Sequence, residues 1–482
     1  MHDQTHSTQL SIPHLRVLLD QIVDYLQAAE NLPLVEACPP DVLAEKLAKD
    51  MVLDLPDLPQ QAGSVEPLSR FVAHYLHYAV NTHHHGFVNQ LWSDTLLSSF
   101  LGEVLSAATN ASAYTYEVAP VATLMEDRLV RQLTQQVWSS VGDGIMTSGG
   151  TASNLQALLT ARNHHCKDMK FKGMGERRLA LFCSADAHYS IKRAANILGL
   201  GMEQVIEVEP SRGKSKSRSM DAAGLQLAMD GALADGLEPF CVVATAGTTV
   251  YGAYDVITEI ADFARQHDLW LHVDGALGAS VLFSDEHKVL MRGVERADSL
   301  SWDFHKMLGV HLPCAFLLLR QTGVMQSAIS TANDDYLFHD DENRFDLGSK
   351  SLQCGRRVDV LKLWLSWLAA GRQGFGQRVD KLFALARFVA DYIVQSADLV
   401  LLMQPVSVNV CFRFRQRDKI GNDIVVRVRD LMIAKGQYML NYAADQRGPF
   451  FRLVLTNAEL TEKQLSDFVD TIIQTGKNIN VS

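Results

Sequence analysis

Cysteine is scarce and irregular here: seven copies in 482 residues, at 38, 166, 183, 241, 314, 354 and 411, odd in number and never in a Cys-x-x-Cys spacing. Such scatter speaks against a disulfide framework or a zinc ribbon, so mostly buried thiols and no metal site are expected. Long apolar runs are missing too. No stretch approaches the ~18 to 20 residues of a membrane span, and the start, MHDQTHSTQL, lacks the basic residues and apolar stretch of a secretion signal. A cytoplasmic protein with no membrane partner is expected. Basic charge is in deficit: 44 Lys and Arg stand against 55 Asp and Glu, a formal net charge of -11 that opposes nucleic-acid binding. The one basic cluster, Arg212-Gly-Lys214-Ser-Lys216-Ser-Arg218, is short and serine-rich and reads as a solvated loop. Internal repeats and low-complexity tracts are absent.

What is present is the balance of an ordinary globular protein, 47% hydrophobic and 21% charged, in a chain long enough for two or three packed units. Between His14 and Glu30 the residues Leu15, Leu18, Leu19, Ile22 and Leu26 recur at helical spacing, an apolar stripe that needs a partner. Six of the 13 prolines lie from Pro33 to Pro67, which marks an irregular connector with short helices. Beyond it, the apolar runs 179–183, 240–244, 269–273 and 315–319 alternate with helix-length stretches, the mark of an α/β domain whose mainly parallel sheet is covered on both faces. The first three runs end in Ser-Ala-Asp-Ala-His188, Thr-Ala-Gly-Thr-Thr249 and Asp274-Gly-Ala. Ligands of open α/β sheets bind beyond the carboxyl ends of the strands, so these endings predict one shared site. After Gly355 come an amphipathic helix (Val360, Leu363, Trp364, Trp367), the strictly alternating stretch 406–414 and the run 450–455. They predict a smaller α+β unit in which the alternating strand is half exposed.

The sharpest chemical signal is Ser301-Trp-Asp303-Phe-His305-Lys306-Met-Leu-Gly309. A lysine among apolar neighbours loses hydration, and its amine can then condense with an aldehyde. A lysine after a histidine is more often a surface residue, however, so the motif does not decide alone. Asp274 ends a very apolar strand, where a buried carboxylate needs a cation or strong donors; a structural arginine or a helix start would serve. Together, a strand-ending aspartate and a lysine about 30 residues on form the arrangement pyridoxal phosphate requires: the carboxylate keeps the pyridine nitrogen protonated and the lysine holds the aldehyde. The stretch Ile145-Met-Thr-Ser148-Gly-Gly150-Thr151-Ala152-Ser153-Asn154 opens a helix with amides and hydroxyls available to a phosphate, a signal weak by itself and fitting in this company. His188 either caps the next helix or stacks flat on an aromatic cofactor.

These motifs resemble the group II pyridoxal-phosphate-dependent amino-acid decarboxylases, and most of all the branch holding glutamate and cysteine sulfinate decarboxylases. The resemblance also takes in Phe87-Val-Asn-Gln90, Thr115-Tyr-Glu-Val-Ala-Pro120, Gln353-Cys-Gly-Arg356, Asn409-Val-Cys-Phe412 and Phe451-Arg452. It implies a fold-type I enzyme working as a homodimer, with an N-terminal helical arm (1–85), a large cofactor-binding domain (86–355) and a small C-terminal domain (356–482). It implies that Lys306 binds the cofactor, Asp274 pairs with the pyridinium, and His188 stacks on the ring and assists proton transfer. Thr151, Ala152, Ser153 and Asp303 match phosphate-lining positions, and Thr249 and His305 match cofactor-site positions. Arg452 matches the arginine that holds the substrate α-carboxylate; a structural salt bridge on an edge strand is the other reading.

By the same resemblance Asn89 and Gln90 reach the distal group of the substrate. Trp92 stands where glutamate decarboxylases have a small residue and cysteine sulfinate or aspartate decarboxylases an aromatic one, unless it is simply a packed core or interface tryptophan. Expected is α-decarboxylation of a small, acidic L-amino acid: cysteine sulfinate, aspartate or glutamate. Two departures keep alternatives open. Asp303-Phe-His305-Lys306 replaces the common Asn-Pro-His-Lys, as in diaminobutyrate decarboxylases, and puts a carboxylate near the phosphate. Phe345 falls opposite a proton-donating tyrosine, so either Tyr336 or His339 takes that part or decarboxylation is followed by oxidation to an aldehyde.

Overall fold

The computed structural model describes residues 10–49, 64–210, 218–330, 345–415 and 423–479. Three helices lead: α1 (Ile12–Ala28), α2 (Pro40–Lys49) and α3 (Glu66–Tyr78). Ser11 caps α1 by accepting the His14 amide, and Pro13 sits in the first turn, where a missing N–H removes no helical bond. Helix α1 lies against α3, with Gln21 Nε2 donating to Ser69 Oγ at 2.7 Å. Only Leu18 of the apolar stripe is buried; Leu15 and Leu19, together with Leu68, Phe71 and Tyr75 of α3, remain exposed on the single chain.

The next unit is built on a seven-stranded sheet, order β1-β7-β6-β5-β4-β2-β3, from β1 (Asp143–Thr147), β2 (Leu179–Ser184), β3 (Val205–Val208), β4 (Glu238–Thr245), β5 (Trp270–Asp274), β6 (Ser299–Asp303) and β7 (Ala315–Leu319). Only β7 runs against its neighbours, so the mainly parallel sheet expected from the apolar runs is present. Helices α4 (Leu97–Thr109), α5 (Pro120–Trp138), α6 (Gly150–His165), α7 (Met169–Lys172), α8 (Ser190–Ile197), α9 (Ala222–Ala234), α10 (Ile257–Gln266) and α11 (Val324–Ile329) belong to this unit. Strands β1, β2, β6 and β7 are buried at every position, which is why β2 and β7 read as apolar runs and not as alternations; β1 (DGIMT) and β6 (SLSWD) are equally buried but carry polar residues and gave no such run. A buried ion pair, Arg356 Nη2 to Glu126 Oε1 at 2.6 Å, ties α5 to the segment before the next helix, and the Met146 amide of β1 donates to the same oxygen at 2.8 Å.

Helix α12 (Val360–Gln395) bends at Gly371, whose φ of 63° is left-handed and suits a residue without Cβ. An antiparallel sheet follows, order β10-β11-β9-β8, from β8 (Leu399–Leu401), β9 (Asn409–Phe414), β10 (Asn441–Asp445) and β11 (Gly448–Val454), with α13 (Ile424–Ala434) and α14 (Glu462–Ile479) beside it. Strand β9 corrects the expectation of half exposure: all six residues are buried. Its two faces meet two interiors. Phe414 packs at Gly476 of α14, whereas Asn409 Nδ2 and Cys411 Sγ on the other face donate to the carbonyls of Thr249 and Val250 in the large unit.

All seven cysteines are free and four are buried, as expected. The basic cluster needs a correction at its end. Residues 211–217 lie outside the described residues, but Arg218 is no solvated charge: Nε and Nη2 donate to the two oxygens of Asp186 at 2.6 and 2.9 Å, and its guanidinium lies 4.6 Å from the centre of the Tyr251 ring.

Candidate active site

The parallel strands end along one edge of the large sheet, and pairing register fixes what meets there. Thr245 stands beside Asp274, Asp274 beside Ser301, and Thr147 and Asp303 flank Ala315. Asp274 is 5% exposed; Oδ2 accepts from Asn154 Nδ2 at 2.8 Å and Oδ1 from the Ala276 amide at 3.2 Å. Asn154, in the first turns of α6, uses its whole capacity. Its second N–H donates to Ser190 Oγ at 2.9 Å, while Oδ1 accepts from Ser301 Oγ at 2.7 Å and faces His272 Nε2 at 3.0 Å. Burial pushes the His272 imidazole down to about 4, against the pull of Asp274. Sequence reasoning assigned Asn154 no role, although it lies within the glycine-containing stretch.

Lys306 follows β6 by three residues, and Nζ lies 3.2 Å from Asp303 Oδ2. Asp303 is 1% exposed and its Oδ1 has no hydrogen-bond partner among the described residues. The carboxylate rests on the start of α6: a Cβ at Gly150 would come within 2.7 Å of Oδ2. His305 turns elsewhere, with Nδ1 2.9 Å from the Cys314 carbonyl, and burial lowers its proton affinity while Asp303 opposes the shift. In the phosphate-cradle stretch Gly149 takes a φ of 132°, and Thr151 and Ala152 are partly exposed. Ser153 is fully buried; its hydroxyl shares a 2.7 Å hydrogen bond with Thr147 and its amide donates to Gly149 O, so this side chain is committed internally.

His188 is not the cap of α8, whose N-cap is Tyr189 with no side-chain cap hydrogen bond; the His188 Nδ1 lies 2.9 Å from Ser190 Oγ in the first turn. It also sits within electrostatic reach of the site, since burial depresses its proton affinity, Asp274 and Asp303 raise it, and Lys306 lowers it. Asp274, Lys306, Asp303 and His188 therefore share one region. Thr249 enters through its carbonyl, which accepts from Arg452 Nη1 at 3.2 Å, and Arg452 Nη2 donates to the Asn89 carbonyl at 2.7 Å. Arg452 belongs to β11, an interior strand, and makes no ion pair among the described residues, so the edge-strand salt bridge is absent. Its Nε and the Asn89 Oδ1 are buried and have no hydrogen-bond partner among the described residues. Gln90 is partly exposed, and Trp92 packs on Phe87 with ring centres 5.4 Å apart. Phe345 lies 5.8 Å from the Tyr116 ring, while Tyr336 and His339 fall outside the described residues.

The donor set suits pyridoxal phosphate: an amine at a strand end, a buried carboxylate fixed by an amide, an imidazole nearby and a helix start with a glycine entry. Buried polar atoms without partners beside Arg452 suit a polar ligand in the same place. Asp303 is the discordant member. Residues 48–415 match the model of the pyridoxal-dependent decarboxylase conserved domain. The human acidic amino acid decarboxylase GADL1 is 36% identical over 96% of this chain and 90% of its own length, and human cysteine sulfinic acid decarboxylase is 38% identical over 89% of each. The crystal structure of mouse CSAD in apo form aligns with a TM-score of 0.89 at 35% identity, covering 96% of this chain and 98% of that one. Sheet topology, the lysine and aspartate at neighbouring strand ends and this likeness along almost the whole chain agree, and the chain belongs to the pyridoxal-dependent decarboxylases, as a fold-type I enzyme that uses pyridoxal phosphate to decarboxylate an amino acid.

Proposed function

We propose that the substrate is a small acidic L-amino acid, cysteine sulfinate or aspartate before glutamate, and that Arg452 holds its α-carboxylate. Bound pyridoxal phosphate supplies an aldehyde that captures amines and a ring that accepts the electron pair left by departing carbon dioxide. The chain's residues divide the remaining work. Lys306 offers the amine that tethers the cofactor. Asp274 fixes the proton on the pyridine nitrogen, and Asn154 and the Ala276 amide keep that carboxylate in place. His188 would stack on the ring; with Nδ1 engaged by Ser190, Nε2 is the nitrogen left to exchange a proton. Thr151 and the free amides at the first turn of α6 would hold the phosphate, with Ala152 lining it while its amide donates to Gly149 O at 2.9 Å; Thr249 closes the site toward Arg452, and His305 braces the lysine loop against Cys314.

One observation carries the substrate reading: a buried guanidinium that bonds two carbonyls, lacks a carboxylate and has Nε to spare. An uncompensated buried charge is costly, so a carboxylate ligand repays it. The distal acid is supported by the named activities of relatives at 36 and 38% identity, and Asn89 with its free Oδ1, Gln90 and Trp92 are the residues assigned to it. If Trp92, which packs on Phe87, also lines the pocket, its bulk shortens the space for the distal group. Initial rates of carbon dioxide release on cysteine sulfinate, aspartate, glutamate and 2,4-diaminobutyrate test the reading: the first two are expected to exceed glutamate, and Trp92→Ser to move the ratio toward glutamate. Preference for diaminobutyrate overturns the acidic substrate.

A cytoplasmic homodimer with the division 1–85, 86–355 and 356–482 completes the reading. It is supported by the apolar residues that α1 and α3 leave exposed; among the described residues no helix is long and apolar enough to cross a membrane.

A further inference from the structure

Asp303 occupies both places that an incoming phosphorylated aldehyde needs. Its carboxylate lies on the first residue of the 16-residue helix α6, where a Gly150 Cβ would be 2.7 Å from Oδ2 and 3.2 Å from Oδ1, and Oδ2 is 3.2 Å from Lys306 Nζ. The start of a long helix attracts anions, and the lysine is the cofactor's tether. Nor can the carboxylate withdraw into water. The Asp303 and Phe304 amides donate to the Ala276 and Cys314 carbonyls at 3.3 and 2.9 Å, Phe304 is fully buried, and His305 is bonded to Cys314. The charged or titratable groups around it are Lys306, His305, His188 and the buried Cys314 thiol.

We propose that Asp303 is an internal substitute for the cofactor's phosphate. In the cofactor-free protein it neutralises the start of α6 and pairs with Lys306; in the loaded protein it faces a second anion in a site of low dielectric, where like charges repel far more than in water. It thereby stabilises the empty form and weakens cofactor retention. This rests on the reading of Lys306 and the α6 start as the cofactor's place.

The test is equilibrium dialysis of pyridoxal phosphate, and separately of pyridoxal without phosphate, against cofactor-stripped wild type and Asp303→Asn at neutral pH. The asparagine variant is expected to bind pyridoxal phosphate about tenfold tighter, ~1.4 kcal/mol, and to lose it more slowly on dilution, with a much smaller change for pyridoxal. Asp303→Ser offers the same comparison should the amide variant misfold, and a single cooperative thermal transition certifies either as folded, with a midpoint lowered in the cofactor-free state. Equal or weaker binding of pyridoxal phosphate by a folded variant overturns the proposal, and so does an equal gain for both probes, which would trace the effect to Lys306 alone. Failure of wild type and variant alike to bind either probe, or undiminished binding by Lys306→Ala, would instead overturn the assignment of the cofactor site.

Discussion

Asn154 shows how much one side chain contributes to this site. Four partners from three segments, Ser190 of α8, His272 and Asp274 of β5 and Ser301 of β6, converge on one buried amide. Each group orphaned by its removal costs about 1–3 kcal/mol. Asn154→Ala is therefore expected to lower the thermal midpoint by several degrees and to weaken cofactor retention on gel filtration, followed by visible absorbance; unchanged retention would show that Asp274 keeps its position unaided. Asp274 was legible in the sequence because a charged residue ending an apolar run is conspicuous, whereas Lys306, three residues past β6 and preceded by a histidine, drew notice only in company with Asp274. Asn154 was not legible: an asparagine near a helix start is an ordinary cap or turn residue until two strands, β5 and β6, and the start of α8 are brought around it. Arg452 was legible as an anomaly in an apolar run, but its want of an acidic partner is a fact of tertiary structure.

Among elements, β9 separates what a pattern can say from what it cannot. Strict alternation gave the strand correctly, yet both of its faces are covered, because the polar face of Asn409 and Cys411 bonds carbonyls of the neighbouring unit in place of water. Period two reports two different environments, not which of them is solvent. The link between α5, β1 and the entry to α12 is sharper still, since Glu126 and Arg356 are buried together and breaking one partner leaves the other charge unpaired. Arg356→Met is expected to cost about 3–5 kcal/mol, read as a lowered midpoint in calorimetry or urea, and the double variant Glu126→Leu/Arg356→Met to recover most of it. A single variant as stable as wild type would show that the pair contributes nothing.

For the molecule as a whole, the helical lead is the feature that a single chain leaves unfinished. Its apolar residues on α1 and α3 face outward, and a second copy is the proposed cover. Deleting residues 1–65 is expected to give insoluble or monomeric, inactive protein; a soluble, active, truncated dimer on a sizing column would refute that role. The mainly parallel sheet and the strand-end location of the candidate site were legible in the sequence, whereas the order of its strands and the docking of residues 87–89 on the C-terminal unit were not, because those contacts join positions far apart in the chain. Val88 exchanges backbone hydrogen bonds with Met439 and Val454, and the Asn89 carbonyl accepts from Arg452 across 363 positions. This has a consequence in time. A ribosome delivers Lys306 and Asp274, the residues proposed to hold the cofactor, long before Arg452, proposed to hold the substrate carboxylate, so on that assignment a nascent chain has the groups for pyridoxal phosphate first and the arginine beside Asn89 last.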